Sequence, residues 1–166
     1  MQIRGQQYQD FIVLIREHER LVHKVCSVYT SEKEDREDLF QEIILQAWIS
    51  FPKFKHASKV STWLYRVALN TAINHKRKDR KHIKTLDLEG LHDVRESTDP
   101  FAEEYKILHR LIGELPTLEK ALVLLYLDDR SYQEIAEIMG LSASNVGTKL
   151  ARIKAKMKMK AEILIK

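Results

Sequence analysis

The chain has 166 residues, enough for one ordinary domain or two small ones, and 44% of them are hydrophobic, enough for real cores. Five glycines and three prolines favour long helices over a many-turned sheet fold, and a net charge of +4 biases the chain toward polyanions. A single cysteine, Cys26, leaves no disulfide framework or thiolate metal cluster, and the longest apolar run, Ala121 to Leu127, is far too short to span a bilayer.

No charged-then-apolar leader opens the chain, so a cytoplasmic protein with no membrane insertion is expected. Charge is unevenly placed. Residues 76–84 carry six Lys or Arg against one Asp, and residues 147–160 carry six against no acid. Residues 85–104 carry seven Asp or Glu against Arg95 alone. Two basic blocks separated by an acidic one are more than a solvated surface requires.

From Tyr8 to Tyr29, Phe11, Leu14, Ile15, Leu21, Val22, Val25 and Tyr29 recur at helical spacing. His18 lies on that stripe and reads as a packed core histidine, and Cys26 as a small buried hydrophobe. A polar break at 30–37 leads into a second helix, Asp35 to Ser50, whose early acids suit the helix dipole. Its expected core stripe is Phe40, Ile43, Ile44, Ala47 and Phe51. A different face carries Asp38, Gln41, Glu42 and Leu45. Pattern alone leaves two readings of it: a solvated face that includes a leucine, or a docking surface anchored by Leu45 with carboxylates steering a basic partner.

Pro52 ends that helix, and the loop Phe51 to Lys59 mixes Phe51 and Phe54 with Lys53, Lys55, His56 and Lys59. Aromatics among lysines can hold an unstacked base beside a phosphate; they also occur in any amphipathic loop whose phenylalanines turn to the core. Ser61 is expected to cap a third helix, Thr62 to Arg80, with Leu64, Val67, Ala68 and Thr71 inward and Trp63 adding bulk. Arg66, Asn70, Asn74 and Arg77 follow at i, i+4, i+8 and i+11, one polar row. Asparagine is a poor helix former, so two on one row point to hydrogen bonding. The row runs into Lys76, Arg77 and Lys78, a phosphate-neutralising end or, alternatively, a solvated helix end.

Residues 81–99 lack periodicity and read as a flexible acidic linker with a mean span of about 25 Å. Asp99-Pro100 is expected to open a helix as N-cap and first residue, with Phe101, Tyr105, Leu108, Leu111 and Ile112 apolar. Leu115-Pro116-Thr117 breaks it, and the next helix should bury Leu118, Ala121, Leu122 and Leu125. Ser131 and Glu134 then form an S-x-x-E capping box, Gly140 supplies a positive φ, and Ser142 caps the last helix. That helix sets Val146, Leu150, Ile153 and Met157 on one stripe and Asn145, Thr148, Lys149 and Arg152 on the other. Helix, glycine turn and a helix with outward amide, hydroxyl and cationic groups is the helix-turn-helix plan for entering a major groove. An ordinary αα-corner is the alternative, and the lysine tail through Lys160 favours DNA. The expected fold class is all-α: two small helical domains, residues 1–80 and 100–166, joined by the linker at 81–99, the second a helix-turn-helix four-helix bundle.

These residues resemble bacterial RNA polymerase sigma factors of the extracytoplasmic-function (ECF) class. Asp38-Leu39-Phe40-Gln41-Glu42, Ala47-Trp48 and Phe51 through Asn70 are similar to sigma domain two. Leu115-Pro116, Tyr132 to Ala136 and Gly140 to Arg152 are similar to domain four. The resemblance implies that Asp38, Gln41, Glu42 and Leu45 dock on the clamp helices of the polymerase β′ subunit. It implies that the loop with Lys53, Phe54, Lys55, His56 and Lys59 captures a flipped base of the minus-ten element. Arg66, Asn70, Asn74 and Arg77 would line the opened strand, with Lys76 and Lys78 on phosphates. Ser142, Ser144, Asn145, Thr148, Lys149 and Arg152 would meet the minus-thirty-five element. Core RNA polymerase, its β subunit included, promoter DNA and an anti-sigma factor are the implied partners. No catalytic residue, metal or cofactor is implied: binding an unstacked base offsets unpairing, which costs on the order of a few kcal/mol per base. The chain departs from the family pattern at Gly147, where Lys or Arg is frequent.

A free-standing dimeric helix-turn-helix regulator is the main alternative, but it gives no reason for the basic row and aromatic loop of the first domain. A metal-dependent nuclease would need clustered carboxylates, which only the acids near 32–42 offer.

Overall fold

The computed structural model of the chain describes residues 2–79 and 100–166, and these fold as seven α-helices and one 3-10 turn. The chain divides into two compact units, Met1–His82 and Ile83–Lys166. The expected linker at 81–99, with Arg80 and the Asp99 cap, lies outside the described residues.

The first unit consists of α1 (Gln2–Tyr29), α2 (Lys33–Ser50), a 3-10 turn (Phe51–Lys53) and α3 (Val60–Asp79), each helix packed on the other two. Val22, Val25, Cys26, Leu39, Ile43, Ala47, Leu64, Tyr65, Ala68 and Ala72 are fully buried among them. Burial pushes the Cys26 thiol up to about 11 and raises the Tyr29 phenol well above its ordinary value. A chain of rings runs along one side. Trp48 meets Tyr8 at 5.9 Å and Phe11 at 5.0 Å, Phe51 meets Phe11 at 5.3 Å and Trp63 at 6.2 Å, and Phe54 stacks on Trp63 at 4.7 Å. Such pairs add about 0.5–1.5 kcal/mol each beyond the area they bury.

Several details of this unit correct the sequence reading. The buried line of α2 is Leu39, Ile43 and Ala47, at i, i+4 and i+8, whereas Phe40, Ile44 and Phe51 are half-buried. The core face is thus turned by one residue, and Phe40 stacks at its rim on the His23 ring, 4.6 Å away. Wedged against both α1 and α2, α3 also buries Tyr65, Leu69 and Ala72, while Val67 is only half-buried. Ser61 does not cap α3. The Trp63 N–H reaches the Lys59 carbonyl at 3.1 Å, which closes the first turn two residues earlier and places Ser61 inside the helix. His18 is half-buried, with Nδ1 at 3.0 Å from the Leu14 carbonyl of its own helix.

The second unit consists of α4 (Ala102–Gly113), α5 (Thr117–Leu127), α6 (Tyr132–Met139) and α7 (Ala143–Ile165). Central α5 packs against the other three and buries five successive residues, Ala121 to Leu125. Leu118, expected inside, is 56% exposed in its first turn. Helix α4 starts at Ala102, past Pro100, because the first closed turn is Tyr105 N–H to Phe101 carbonyl at 3.0 Å. Phe101 and Tyr105 face solvent.

The helix-turn-helix follows its local code. Ser131 Oγ accepts from the Glu134 N–H at 3.1 Å and Glu134 Oε2 accepts from the Ser131 N–H at 3.0 Å. Gly140 adopts φ 68°, where a side chain would be strained, and the Leu141 N–H returns to the Ala136 carbonyl. Ser142 Oγ accepts from the Asn145 N–H at 3.1 Å, starting α7. Val146, Leu150 and Ile153 are buried, and Met157, at the edge of the bundle, is half-buried.

Candidate nucleic-acid interface

In the first unit, α2 and α3 leave between them an open groove of about 550 Å³. Glu42, Gln46 and Ser50 form the α2 wall, and Asn70, Asn74, Arg77 and Lys78 the α3 wall. Amides, a hydroxyl and two cations on facing walls offer donors and acceptors suited to base edges and phosphates. Arg66 and Lys76, both half-buried, stand outside this groove. His75 of α3 joins the two helices, its Nδ1 3.1 Å from Glu42 Oε2, within hydrogen-bond range of the carboxylate. Sequence reasoning missed this contact, because the partners are 33 positions apart and neither motif signals the other.

On the neighbouring face of α2, Asp38, Gln41 and Leu45 are exposed, whereas Glu42 is half-buried and turned toward the groove. Ile49, one turn beyond Leu45, is 58% exposed and extends the apolar part of this face; its i+4 spacing from Leu45 was the available signal.

The loop after α2 is anchored by the Phe54–Trp63 stack, so Phe54 is half-buried while Lys53, Lys55, His56 and Lys59 are exposed. His56 takes φ 53°, the left-handed region that costs a non-glycine residue energy, and its ring sits 4.6 Å from Phe54.

In the second unit, Ser142, Ser144, Asn145, Thr148, Lys149 and Arg152 are all exposed along α7. Ser142 is engaged as the cap, and Thr148 Oγ1 donates to the Ser144 carbonyl at 3.1 Å. Three lysines of the tail make contacts within the second unit. Lys154 lies over the Tyr126 ring at 4.7 Å, Lys156 is 3.6 Å from Glu119, and Lys160 is 3.0 Å from Glu114. Those three tie α7 to α4 and α5. Among the described residues Lys149 and Arg152 enter no ion pair, and both are exposed. The Lys160 hydrogen bond holds the Glu114 carboxyl below its ordinary value.

Residues 14–82 match the Sigma-70 region 2 family, and residues 105–157 match Sigma-70, region 4. The ECF RNA polymerase sigma factor SigM of Bacillus subtilis is 33% identical over 141 residues, covering 82% of this chain and 86% of that protein. The ECF RNA polymerase sigma-E factor of Escherichia coli K12 is 31% identical over 163 residues, covering 89% and 85%. The chain belongs to the ECF RNA polymerase sigma factors. As a sigma factor it directs RNA polymerase to promoters, and the reading as a free-standing dimeric regulator is not supported by these matches. The sigma factor RpoE of Bartonella quintana, solved in complex with the anti-sigma factor NepR, shares the fold. Its TM-score is 0.70 at 15% identity, over 94% of this sigma factor and 96% of that chain. No helix among the described residues of the sigma factor is long and apolar enough to cross a membrane.

Proposed function

We propose that residues 1–80 dock on core polymerase and hold the opened minus-ten strand, that 81–99 is the tether, and that 100–166 read the minus-thirty-five duplex. Asp38, Gln41 and Leu45, joined by Ile49, form the docking face for the β′ clamp helices, and Glu42 stands at its edge. The loop with Lys53, Phe54, Lys55, His56 and Lys59 takes a flipped base. Phe54 is braced from behind by Trp63, and the lysines neutralise the flanking phosphates. Asn70, Asn74 and Arg77 line the strand, with Arg66, Lys76 and Lys78 on its backbone. Ser144, Asn145, Thr148, Lys149 and Arg152 enter the major groove, Ser142 holding the start of that helix. The work is binding alone: unstacked bases held on the protein offset unpairing, and polymerase, whose β subunit is a further contact, supplies the catalysis.

The observation that carries this reading is the double use of α2. One side is a wall of the polar groove, and the side next to it exposes Leu45 and Ile49. A protein contact and a strand contact would then share a single rigid helix. A cytoplasmic setting follows from work on polymerase. The complex of the Bartonella quintana RpoE with NepR supports an anti-sigma partner for this chain as well.

Charge reversal at Asp38 and Glu42 should abolish co-purification with core polymerase while far-ultraviolet circular dichroism stays unchanged; retained binding removes the docking assignment. Lys149→Ala and Arg152→Ala should weaken promoter-specific run-off transcription with little effect on polymerase binding. Equal loss of both would make α7 a folding or docking element instead.

A further inference from the structure

The groove of the first unit has its charge sorted by wall. Both of its cations, Arg77 and Lys78, stand on α3, and its carboxylate, Glu42, stands on α2. A strand lying in it therefore turns its phosphates to α3 and its bases to α2. Hydrogens are sorted as well. Ser50 Oγ donates its hydrogen to the Gln46 and Ala47 carbonyls, at 2.9 and 3.2 Å, and Thr71 Oγ1 donates to the Val67 carbonyl at 2.7 Å. Those two oxygens can then only accept, as can the Glu42 carboxylate, whose Oε2 already lies 3.1 Å from His75. Gln46 stands one turn from Glu42 and one turn from Ser50. It is exposed, and among the described residues its amide makes no hydrogen bond. Of the three α2 residues that line the groove, Gln46 alone has hydrogens to give.

We propose that Gln46 is a specificity-determining residue for the opened strand, reading a base that carries an amine beside a bare ring nitrogen, adenine or cytosine. The proposal rests on this groove holding the strand. A side-chain amide pairs its oxygen with the amine and its NH2 with the ring nitrogen, the bidentate geometry by which glutamine marks adenine. The second amine hydrogen then falls to an acceptor beside Gln46, the Glu42 Oε1 or the Ser50 Oγ. Guanine and thymine show an N–H beside a carbonyl instead. A turned amide can meet that edge, but the carbonyl oxygen then faces a flanking acceptor with no hydrogen between them, which costs binding. On the other wall, Asn70, Asn74 and the two cations hold sugar and phosphate and carry no base preference.

The test uses holoenzyme assembled from core polymerase and the full chain, on a promoter that this holoenzyme enriches from a random pool. The non-template strand is held open in a mismatched bubble, and all four bases are placed in turn at each opened position. One position should favour adenine or cytosine over guanine and thymine by roughly tenfold, and Gln46→Ala should abolish that preference there and nowhere else. An analogue without the amine, purine for adenine or pyrimidinone for cytosine, should cost the parent protein the same factor and cost Gln46→Ala nothing further. Thermal melting of Gln46→Ala should match that of the parent protein, because the amide has no partner in the fold. The proposal is overturned if Gln46→Ala keeps the full preference, or if it weakens binding equally whatever the base. Asn70→Ala combined with Asn74→Ala is the reference. If that pair leaves opened-strand binding unchanged, the groove does not hold the strand and the proposal goes with it, whereas silence of Gln46→Ala alone removes only the reader.

Discussion

The first unit and the helix-turn-helix of the second are built by different means. In the first, α2 begins at Glu32 with no side-chain cap, and the interior joins aromatic rings from α1, the 3-10 turn and α3. In the second, α6 and α7 both start on serine caps, α6 ends on a left-handed glycine, and every buried side chain among the described residues is aliphatic. The first unit therefore depends on residues far apart in sequence meeting in space, and the helix-turn-helix on partners within a few positions of one another. Each suits its proposed task. A strand-holding loop needs a braced wall, which stacked rings supply, and a reading helix needs a defined start and entry angle, which caps supply.

Core truncations test that contrast most severely. Leu39→Ala should cost the first unit about 2–5 kcal/mol, and Phe40→Ala, at the rim, clearly less. Both tryptophans, Trp48 and Trp63, lie in the first unit, so fluorescence-detected denaturation reads it selectively. Equal losses at the two positions would mean that the core face of α2 is wrongly placed. Cys26 supplies a second reporter: with its thiol pushed up to about 11 by burial, it should label at pH 8 only as the unit unfolds.

Cap removal comes next in size. Ser131→Ala and Ser142→Ala should each cost the second unit about 1 kcal/mol, read by faster hydrogen exchange in α6 and α7. The tryptophan transition should stay where it is; a matching shift there would show that the two units do not fold separately.

The smallest effect expected is at Glu114. Its carboxyl is held low by the Lys160 hydrogen bond, so the stabilisation is present in full above the unfolded carboxyl's value near 4.5. It is lost as pH falls through the lower folded value. Solvent exposure keeps it small. Glu114→Gln should flatten that part of the stability-versus-pH curve for the second unit, and an unaltered curve would mean the pair contributes nothing.

Membership of the sigma family, the all-helical class and the helix-turn-helix could be read from sequence alone. Ser131 with Glu134, Gly140, and Ser142 with Asn145 are each made by near neighbours, so both partners of every contact stand side by side in the chain. The exposure of Asn70, Asn74 and Arg77 was legible for a similar reason, since helical spacing alone aligns them. Tertiary packing decided the rest. Which neighbours crowd a helix sets its buried face, and this turned α2 from Phe40 to Leu39. The same packing brought His75 to Glu42, tied Lys154, Lys156 and Lys160 down within their own unit, and laid Tyr132 on Gly147. No local pattern encodes such contacts, because their geometry exists only once separate helices have docked.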